Sequence, residues 1–133
     1  MNAPNLFLGI DGGGSKTTAL LADADGQTIG RGVAGPSNYH VVGVEMAYAA
    51  LDAAITAAFV DAALPPEPFA ALCLGMAGVG RPEDRRVIQA WADAHYPGAV
   101  LRIANDAELV LAAGTPEGWG VAVIAGTGSL VYG

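Results

Sequence analysis

The run of three glycines at residues 12–14 is the feature that most limits how this chain folds. It stands in the segment GIDGGGSKTT, between an apolar stretch at residues 6–10 and the stretch TTALLA at residues 17–22. The second stretch begins with two β-branched threonines and ends at the turn sequence DADG, so it is typical of a strand rather than a helix. We therefore predict a glycine-rich turn between two strands.

Two common phosphate-binding motifs do not fit this segment. A P-loop has glycine directly before its lysine and a helix after it, whereas here Ser15 precedes Lys16 and a strand follows. The dinucleotide fingerprint G-x-G-x-x-G, counted from Gly12, has Thr17 in place of its third glycine. A phosphate bound at this segment would therefore be held by a hairpin and not by a helix N-terminus.

The remaining pattern predicts a mixed α/β domain. A third strand at residues 28–33 completes an antiparallel meander, and a long alanine-rich helix at residues 44–64 ends before Pro65-Pro66. Within that helix the positions that follow helical spacing are Met46, Ala49, Ala50, Ala53 and Ala57. The later elements are a strand at 70–76, a helix at 83–96, a strand at 100–104, a helix at 108–113, a strand at 119–125 and a strand at 130–132. Alternating strands and helices imply parallel strands.

Composition narrows the class of protein. The chain has 133 residues, of which 53% are hydrophobic and 14% charged, which favours one compact domain with a core. A net charge of −7 with six basic residues argues against nucleic-acid binding. The single cysteine, Cys73, is predicted to be a small buried hydrophobe, and His40 and His95 lack the spacing of metal ligands. No signal peptide or membrane span is indicated, so we expect a cytoplasmic protein.

Two glycine motifs in this order resemble a known superfamily. The segment DGGGSKT at residues 11–17 and the segment GTGS at residues 126–129 are similar to the two phosphate hairpins of the ribonuclease-H-like domain shared by actin, Hsp70-type chaperones and sugar kinases. The pieces GPSN at 35–38, MAGVG at 76–80 and NDA at 105–107 resemble the N-acetylglucosamine and glucosamine kinase branch of the BadF/BadG/BcrA/BcrD ATPase group. The resemblance covers nearly the whole chain. It implies an actin-like ATPase domain at 1–133, with a second, adenosine-binding domain that this chain does not include.

The resemblance implies a site for ATP and Mg²⁺. Glycines without Cβ atoms let backbone N–H groups approach phosphate oxygens, hydroxyls add donors, and Lys16 adds a positive charge. Asp11, at the end of the first strand, would face Mg²⁺. The expected nucleotide-binding residues are Gly12, Gly13, Gly14, Ser15, Lys16, Thr17, Gly126, Thr127, Gly128 and Ser129. By itself, Asp-Gly-Gly-Gly is equally compatible with an ordinary turn.

The same resemblance implies a catalytic base and a sugar site. Asp106 follows the strand at 100–104 and would accept the proton of the sugar hydroxyl, or else merely cap the next helix. Asn38 would bind a sugar hydroxyl with an amide that both donates and accepts, although Ser37 or Asn38 would also suit a helix cap. Asn105 is a second expected sugar contact. Gly78 would allow close approach of the chain, or simply connect a strand to a helix.

Three alternative functions are compatible with this resemblance. The first is ATP-dependent phosphorylation of N-acetylglucosamine or glucosamine on the hydroxymethyl oxygen. The second is the ATPase activator of a radical dehydratase, which would need an iron–sulfur cluster held by cysteines between two subunits. The third is a non-catalytic phosphate-binding fragment. Because the second domain is not included, we expect little kinase activity from this chain alone, and a homodimer or the missing domain as its partner.

Overall fold

The computed structural model describes residues 6–76, 81–104, 122–125 and 129–132. The chain begins with three strands, β1 (Phe7–Gly12), β2 (Thr17–Ala22) and β3 (Thr28–Ala34), each antiparallel to the next. The predicted meander is therefore confirmed. The turn between β2 and β3 is closed by Asp23, whose carboxylate accepts the backbone N–H groups of Asp25 and Gln27.

The following elements alternate between helix and strand. They are α1 (Tyr39–Val42), α2 (Val44–Asp61), β4 (Ala71–Met76), α3 (Pro82–His95) and β5 (Val100–Ala104). β4 pairs in parallel with β1, and β5 in parallel with β4, so the five-stranded sheet has the order β3-β2-β1-β4-β5. This confirms the prediction of parallel strands. The four-residue helix α1 was not predicted.

A further antiparallel pair closes the described part of the chain. β6 (Ala122–Ala125) pairs with β7 (Ser129–Tyr132), and Ala125 lies opposite Ser129. This register agrees with the hairpin predicted around residues 126–129. The predicted helix at 108–113, the start of the strand predicted at 119–125 and the glycine loop at 77–80 lie outside the described residues.

One side of the sheet carries the core. Alternate residues of the strands are buried, because side chains of a strand point to opposite faces in turn. They join buried residues of both long helices in one cluster, whose larger members include Leu8, Ile10, Leu21, Leu51, Phe59, Leu72, Leu74, Ile88 and Trp91. On the other face of the sheet, Phe7, Leu20 and Val33 are exposed. Cys73 is half-buried, which differs from the expected full burial.

Helix α2 packs directly on the backbone of β3. A Cβ atom on Gly32 would lie 2.1 Å from the carbonyl oxygen of Ala54, and one on Gly30 would lie 2.2 Å from that of Ala58. Only glycine allows this approach. The contact explains why small residues of the helix face the sheet.

The buried face of this helix does not coincide with the helically spaced positions named from the sequence. Met46 is 63% exposed, and the buried positions are instead Ala47, Leu51, Ala54, Ile55, Ala58 and Phe59. Alanines surround the helix on all sides, so the periodicity of the sequence does not distinguish the buried face. The helix also ends at Asp61 rather than at residue 64. Its end is a Schellman motif, in which Ala63 has a φ of 58° and Leu64 N–H bonds to the Phe59 carbonyl.

None of the described helices has both the length and the apolar character needed to cross a membrane.

Candidate functional site

Asp11, the glycine hairpin and Asn38 lie at the edge where the parallel strands end. Asp11 in β1 lies opposite Gly75 in β4, and Gly75 lies opposite Ala104, the last residue of β5. Neighbouring strands are about 4.8 Å apart, so the Cα atoms of Asp11 and Ala104 are separated by about 10 Å. Ligands bind at such carboxyl ends in open α/β sheets. Asp11 is exposed at this edge.

Several predicted site residues lie outside the described residues. These are Gly78, Asn105, Asp106, Gly126, Thr127 and Gly128. Ser129 is described as the first residue of β7. The roles expected for these residues therefore stay predictions.

The glycine hairpin between β1 and β2 is a tight, closed turn. Gly13 N–H donates to the Lys16 carbonyl over 2.8 Å, and Gly14, Ser15 and Lys16 are exposed. The positive-φ glycines of the described chain are Gly26 and Gly43, and neither belongs to this glycine run. The hairpin thus presents an exposed lysine and hydroxyl without left-handed backbone.

Gly12 is needed for packing rather than for conformation. A Cβ atom at this position would lie 2.6 Å from Ser37 Oγ and 3.1 Å from Met76 Cγ. The end of β1 is therefore in direct contact with the loop after β3 and with the end of β4. Gly14, in contrast, has open space at its Cβ position.

Thr17 connects the hairpin to the loop that contains Asn38. Its Oγ1 lies 2.8 Å from the Gly35 carbonyl oxygen and 2.7 Å from Ser37 Oγ. A hydroxyl has one proton, so Thr17 donates to Gly35 and accepts the proton of Ser37. Both side chains are fully buried. This differs from the expected role of Thr17 as a nucleotide ligand, because its hydroxyl is already bonded within the protein.

Asn38 caps helix α1. Its Oδ1 accepts the backbone N–H of His40 over 3.1 Å, and its carbonyl accepts the N–H groups of Val41 and Val42. The capping interpretation is therefore confirmed for Asn38 and not for Ser37, which bonds to Thr17. The cap uses only the amide oxygen of Asn38. Its NH₂ group is a separate donor, which could bond to the oxygen of a sugar hydroxyl. Asn38 is half-buried at the same edge.

A buried carboxylate beside this loop was missed by the sequence analysis. Asp84, in the first turn of α3, accepts hydrogen bonds at Oδ1 from the hydroxyl of Tyr39 and from His40 Nε2, the latter over 2.9 Å. Its Oδ2 accepts the backbone N–H of Arg81 over 3.1 Å. Because a carboxylate can only accept a hydrogen bond, His40 Nε2 is the donor of its bond to Asp84 Oδ1. The bonds explain why a carboxylate whose side chain is 5% exposed is tolerated there.

These contacts shift the pKa values of both partners. The hydrogen bond from Tyr39 lowers the pKa of the Asp84 carboxyl, and burial acts in the opposite direction. The same bond raises the pKa of Tyr39 to about 12, because ionising the phenol would break it beside a negative charge. An aspartate three residues into a helix that begins with proline is the sequence signal for the helix start. Nothing in the sequence pairs it with Tyr39.

A cavity of about 490 Å³ lies away from this site. Its lining includes Phe69, Tyr96 and Pro97, which precede β4 and β5. It is therefore at the amino ends of the parallel strands, opposite the glycine hairpin. Within the described ranges, no group of three histidine, cysteine or acidic side chains is arranged to hold a metal ion.

Comparison with known proteins identifies a family that the sequence matches. Residues 8–133 match the family model described as the BadF/BadG/BcrA/BcrD ATPase family. The chain is 34% identical to an N-acetyl-D-glucosamine kinase of Dictyostelium discoideum, over 96% of this chain and 43% of the relative. It is 35% identical to an N-acetylmuramic acid/N-acetylglucosamine kinase of Clostridium acetobutylicum, over 95% of this chain and 41% of the relative. A glucosamine kinase of Vibrio cholerae is 31% identical, with 94% and 42% covered.

A solved structure is similar over the same extent. The crystal structure of a candidate N-acetylglucosamine kinase from Chromobacterium violaceum superposes with a TM-score of 0.75 at 29% identity, covering 96% of this chain and 44% of that chain. This likeness confirms the predicted sugar-kinase type of actin-like α/β fold. The chain spans less than half the length of each of these relatives.

Proposed function

The chain belongs to the BadF/BadG/BcrA/BcrD ATPase family, and from this membership and the site geometry we propose that it acts in the ATP-dependent phosphorylation of an amino sugar. The sugar is N-acetylglucosamine or glucosamine, and the acceptor is its hydroxymethyl oxygen. The relatives named as kinases of these sugars support the substrate class. We also propose that the protein is cytoplasmic and that ATP is the phosphoryl donor, which the match to an ATPase family supports.

One observation carries this proposal. The hydrogen bonds of Thr17 to Gly35 and Ser37 join the glycine hairpin to the loop of Asn38 at one edge of the sheet. A kinase must hold a phosphoryl donor and an acceptor hydroxyl side by side, because most of its catalysis is positioning. A shared, buried connection between the two loops gives that arrangement a physical basis.

The exposed hairpin is the part that would hold the nucleotide. Lys16 supplies a positive charge to the phosphates, Ser15 a hydroxyl, and Gly13 and Gly14 a surface without side chains. Gly12 is buried and would contribute by letting the hairpin pack against Ser37. Gly126, Thr127, Gly128 and Ser129 would form the second phosphate hairpin. We assign Thr17 to the support of the site instead.

Asp11 fits the ligand set of Mg²⁺. It is an exposed carboxylate at the end of β1, directly before the hairpin. Mg²⁺ prefers hard oxygen ligands and usually takes one or two carboxylates together with water and phosphate oxygens. When bound, the ion would offset the charge on the nucleotide phosphates.

Asp106 would serve as the base. The hydroxymethyl oxygen attacks the γ-phosphorus of ATP, its proton passes to the carboxylate of Asp106, and the bond from the γ-phosphorus to the bridging oxygen breaks to release ADP. The NH₂ group of Asn38 would donate a hydrogen bond to a sugar hydroxyl, and Asn105 and Gly78 would complete the sugar site. The acceptor oxygen is thereby aligned for in-line transfer.

The test combines turnover with direct binding. ADP release is measured with Mg-ATP and N-acetylglucosamine, glucosamine, N-acetylmannosamine or glucose, and sugar binding is measured by calorimetry. Turnover by this chain alone is expected to be low, and Asp106→Asn should lower the sugar-dependent part of ADP release by at least about 100-fold. The matched control is Asp93→Asn, because Asp93 is an exposed aspartate of α3.

Two outcomes would contradict the proposal. One is that neither N-acetylglucosamine nor glucosamine binds to the chain, and the other is that Asp106→Asn retains the same sugar-dependent turnover as Asp93→Asn. Iron bound in stoichiometric amounts, with oxygen-sensitive ATPase activity, would favour the radical-dehydratase activator instead.

A further inference from the structure

Helix α1 has little of its own to hold it in place. It has four residues, none of them buried, and helices this short are unstable in isolation. It directly follows Asn38, the residue assigned to the sugar. Its position must therefore come from contacts with other parts of the chain.

Asp84 supplies such contacts from α3, more than 40 positions later in the sequence. It bonds to Tyr39 and His40, the first two residues of α1. The His40 side chain is 53% exposed, whereas that of Asp84 is 5% exposed. A carboxylate buried to this degree is costly unless its partners remain bonded, so movement of α1 away from α3 would leave Asp84 Oδ1 without its two hydrogen-bond donors.

The segment around Asn38 is thus held on both sides. Before it, Ser37 bonds to the buried Thr17. After it, Tyr39 and His40 bond to Asp84, and the backbone N–H of His40 bonds in turn to Asn38 Oδ1. A shift of His40 would therefore be passed on directly to the Asn38 side chain.

We propose that Asp84 is a positioning residue of the sugar site, which holds α1 so that the Asn38 amide meets a hydroxyl of the amino sugar. This inference rests on the proposed function. Asp84 does not itself touch the sugar; it acts through Tyr39 and His40. The hydrogen bonds described for Asp84 go to Tyr39, His40 and Arg81, and none of them goes to the glycine hairpin.

Because Asp84 makes no direct hydrogen bond to the hairpin in the described part of the chain, a positioning role can be told apart from a general role in stability. Loss of Asp84 should weaken sugar binding and leave the nucleotide site largely unchanged. A carboxylate that merely stabilises the fold would affect both ligands together. The discriminating measurement is thus the ratio of the two affinities.

The experiment uses Asp84→Asn, with Asp93→Asn on the same helix as the matched control. Asparagine keeps the size of the side chain but removes the charge that the two donors of α1 share. Dissociation constants for N-acetylglucosamine and glucosamine, and for Mg-ADP, are measured by calorimetry. We expect the better sugar to bind about tenfold or more weakly to Asp84→Asn and Mg-ADP to change by less than about twofold.

A second measurement does not need any ligand. Hydrogen exchange of the α1 amides of Val41, Val42 and Gly43, which bond within the helix, should become about tenfold or more faster in Asp84→Asn. Tyr39→Phe, which removes one donor and leaves the carboxylate, should give a smaller change in the same direction. It also serves as the test variant should Asp84→Asn fail to fold.

The outcomes are distinct. Equal losses of sugar and Mg-ADP affinity, or unchanged exchange in α1, would overturn the positioning role. Faster exchange with unchanged sugar affinity would overturn its link to the sugar. If the unmodified protein binds neither sugar, the proposed function fails and this inference fails with it, while the exchange data show separately whether Asp84 holds α1.

Discussion

Thr17→Val tests whether the glycine hairpin and the Asn38 loop form one unit. Valine has nearly the same shape as threonine, so the change removes the hydroxyl and little else. Two hydrogen bonds of 2.8 Å and 2.7 Å are lost. The carbonyl of Gly35 is partly buried and can bond to water instead, whereas the fully buried hydroxyl of Ser37 loses its acceptor.

The expected cost follows from these two partners. A net hydrogen bond is worth about 1 kcal/mol, and a buried polar group left unpaired costs about 1–3 kcal/mol. We therefore expect Thr17→Val to lower the free energy of unfolding by about 2–4 kcal/mol. Urea unfolding followed by tryptophan fluorescence measures this loss, because Trp91 is buried in the core.

Thr18→Val is the matched control. Thr18 is the next residue of β2 and is half-buried on the opposite face, so the same chemical change meets a different environment. Valine suits strands, and we expect a change within about 0.5 kcal/mol. Equal effects of the two variants would refute the reasoning, since the Thr17 hydroxyl would then contribute nothing specific.

Three further predictions concern packing, a helix end and pH. Gly32→Ala should lower the free energy of unfolding by at least about 3 kcal/mol, because its Cβ would overlap the Ala54 carbonyl, whereas Gly9→Ala, with open space, should change it by less than about 1 kcal/mol in the same urea assay. Ala63→Gly should raise it by about 0.5–1 kcal/mol, since the φ of 58° suits glycine; a loss of stability would contradict this. The lowered pKa of Asp84 means that its contribution is present above the ordinary value of 3.8 and is lost as the pH falls below it, so the stability difference from Asp84→Asn should shrink between pH 6 and pH 3 rather than stay constant.

Much of the fold could be predicted because its signals are local. The bounds predicted for β2 and β5 match the structure, since turn residues and β-branched residues mark strand ends within a few positions. The hairpin at the glycine run follows from the same local chemistry. Helix α1 was missed because four residues carry too short a pattern, although Asn38 was recognised as a suitable cap.

The orientation of α2 could not be read from its sequence. Its alanines occur on every side, and the buried face is selected by glycines in β3 that let the helix approach. That choice depends on a contact between two elements, and each of them permits several packings when taken alone. Local periodicity therefore predicted the helix but not its face.

The sequence by itself determined the order of the elements, the glycine hairpin and the family resemblance, because each is written in neighbouring residues. Only the tertiary structure decided what the polar side chains do. Thr17 meets Ser37 across 20 positions, and Asp84 meets Tyr39 across 45. A hydroxyl or a carboxylate can serve a ligand or the protein itself, and the partner within hydrogen-bond distance in the folded chain decides which.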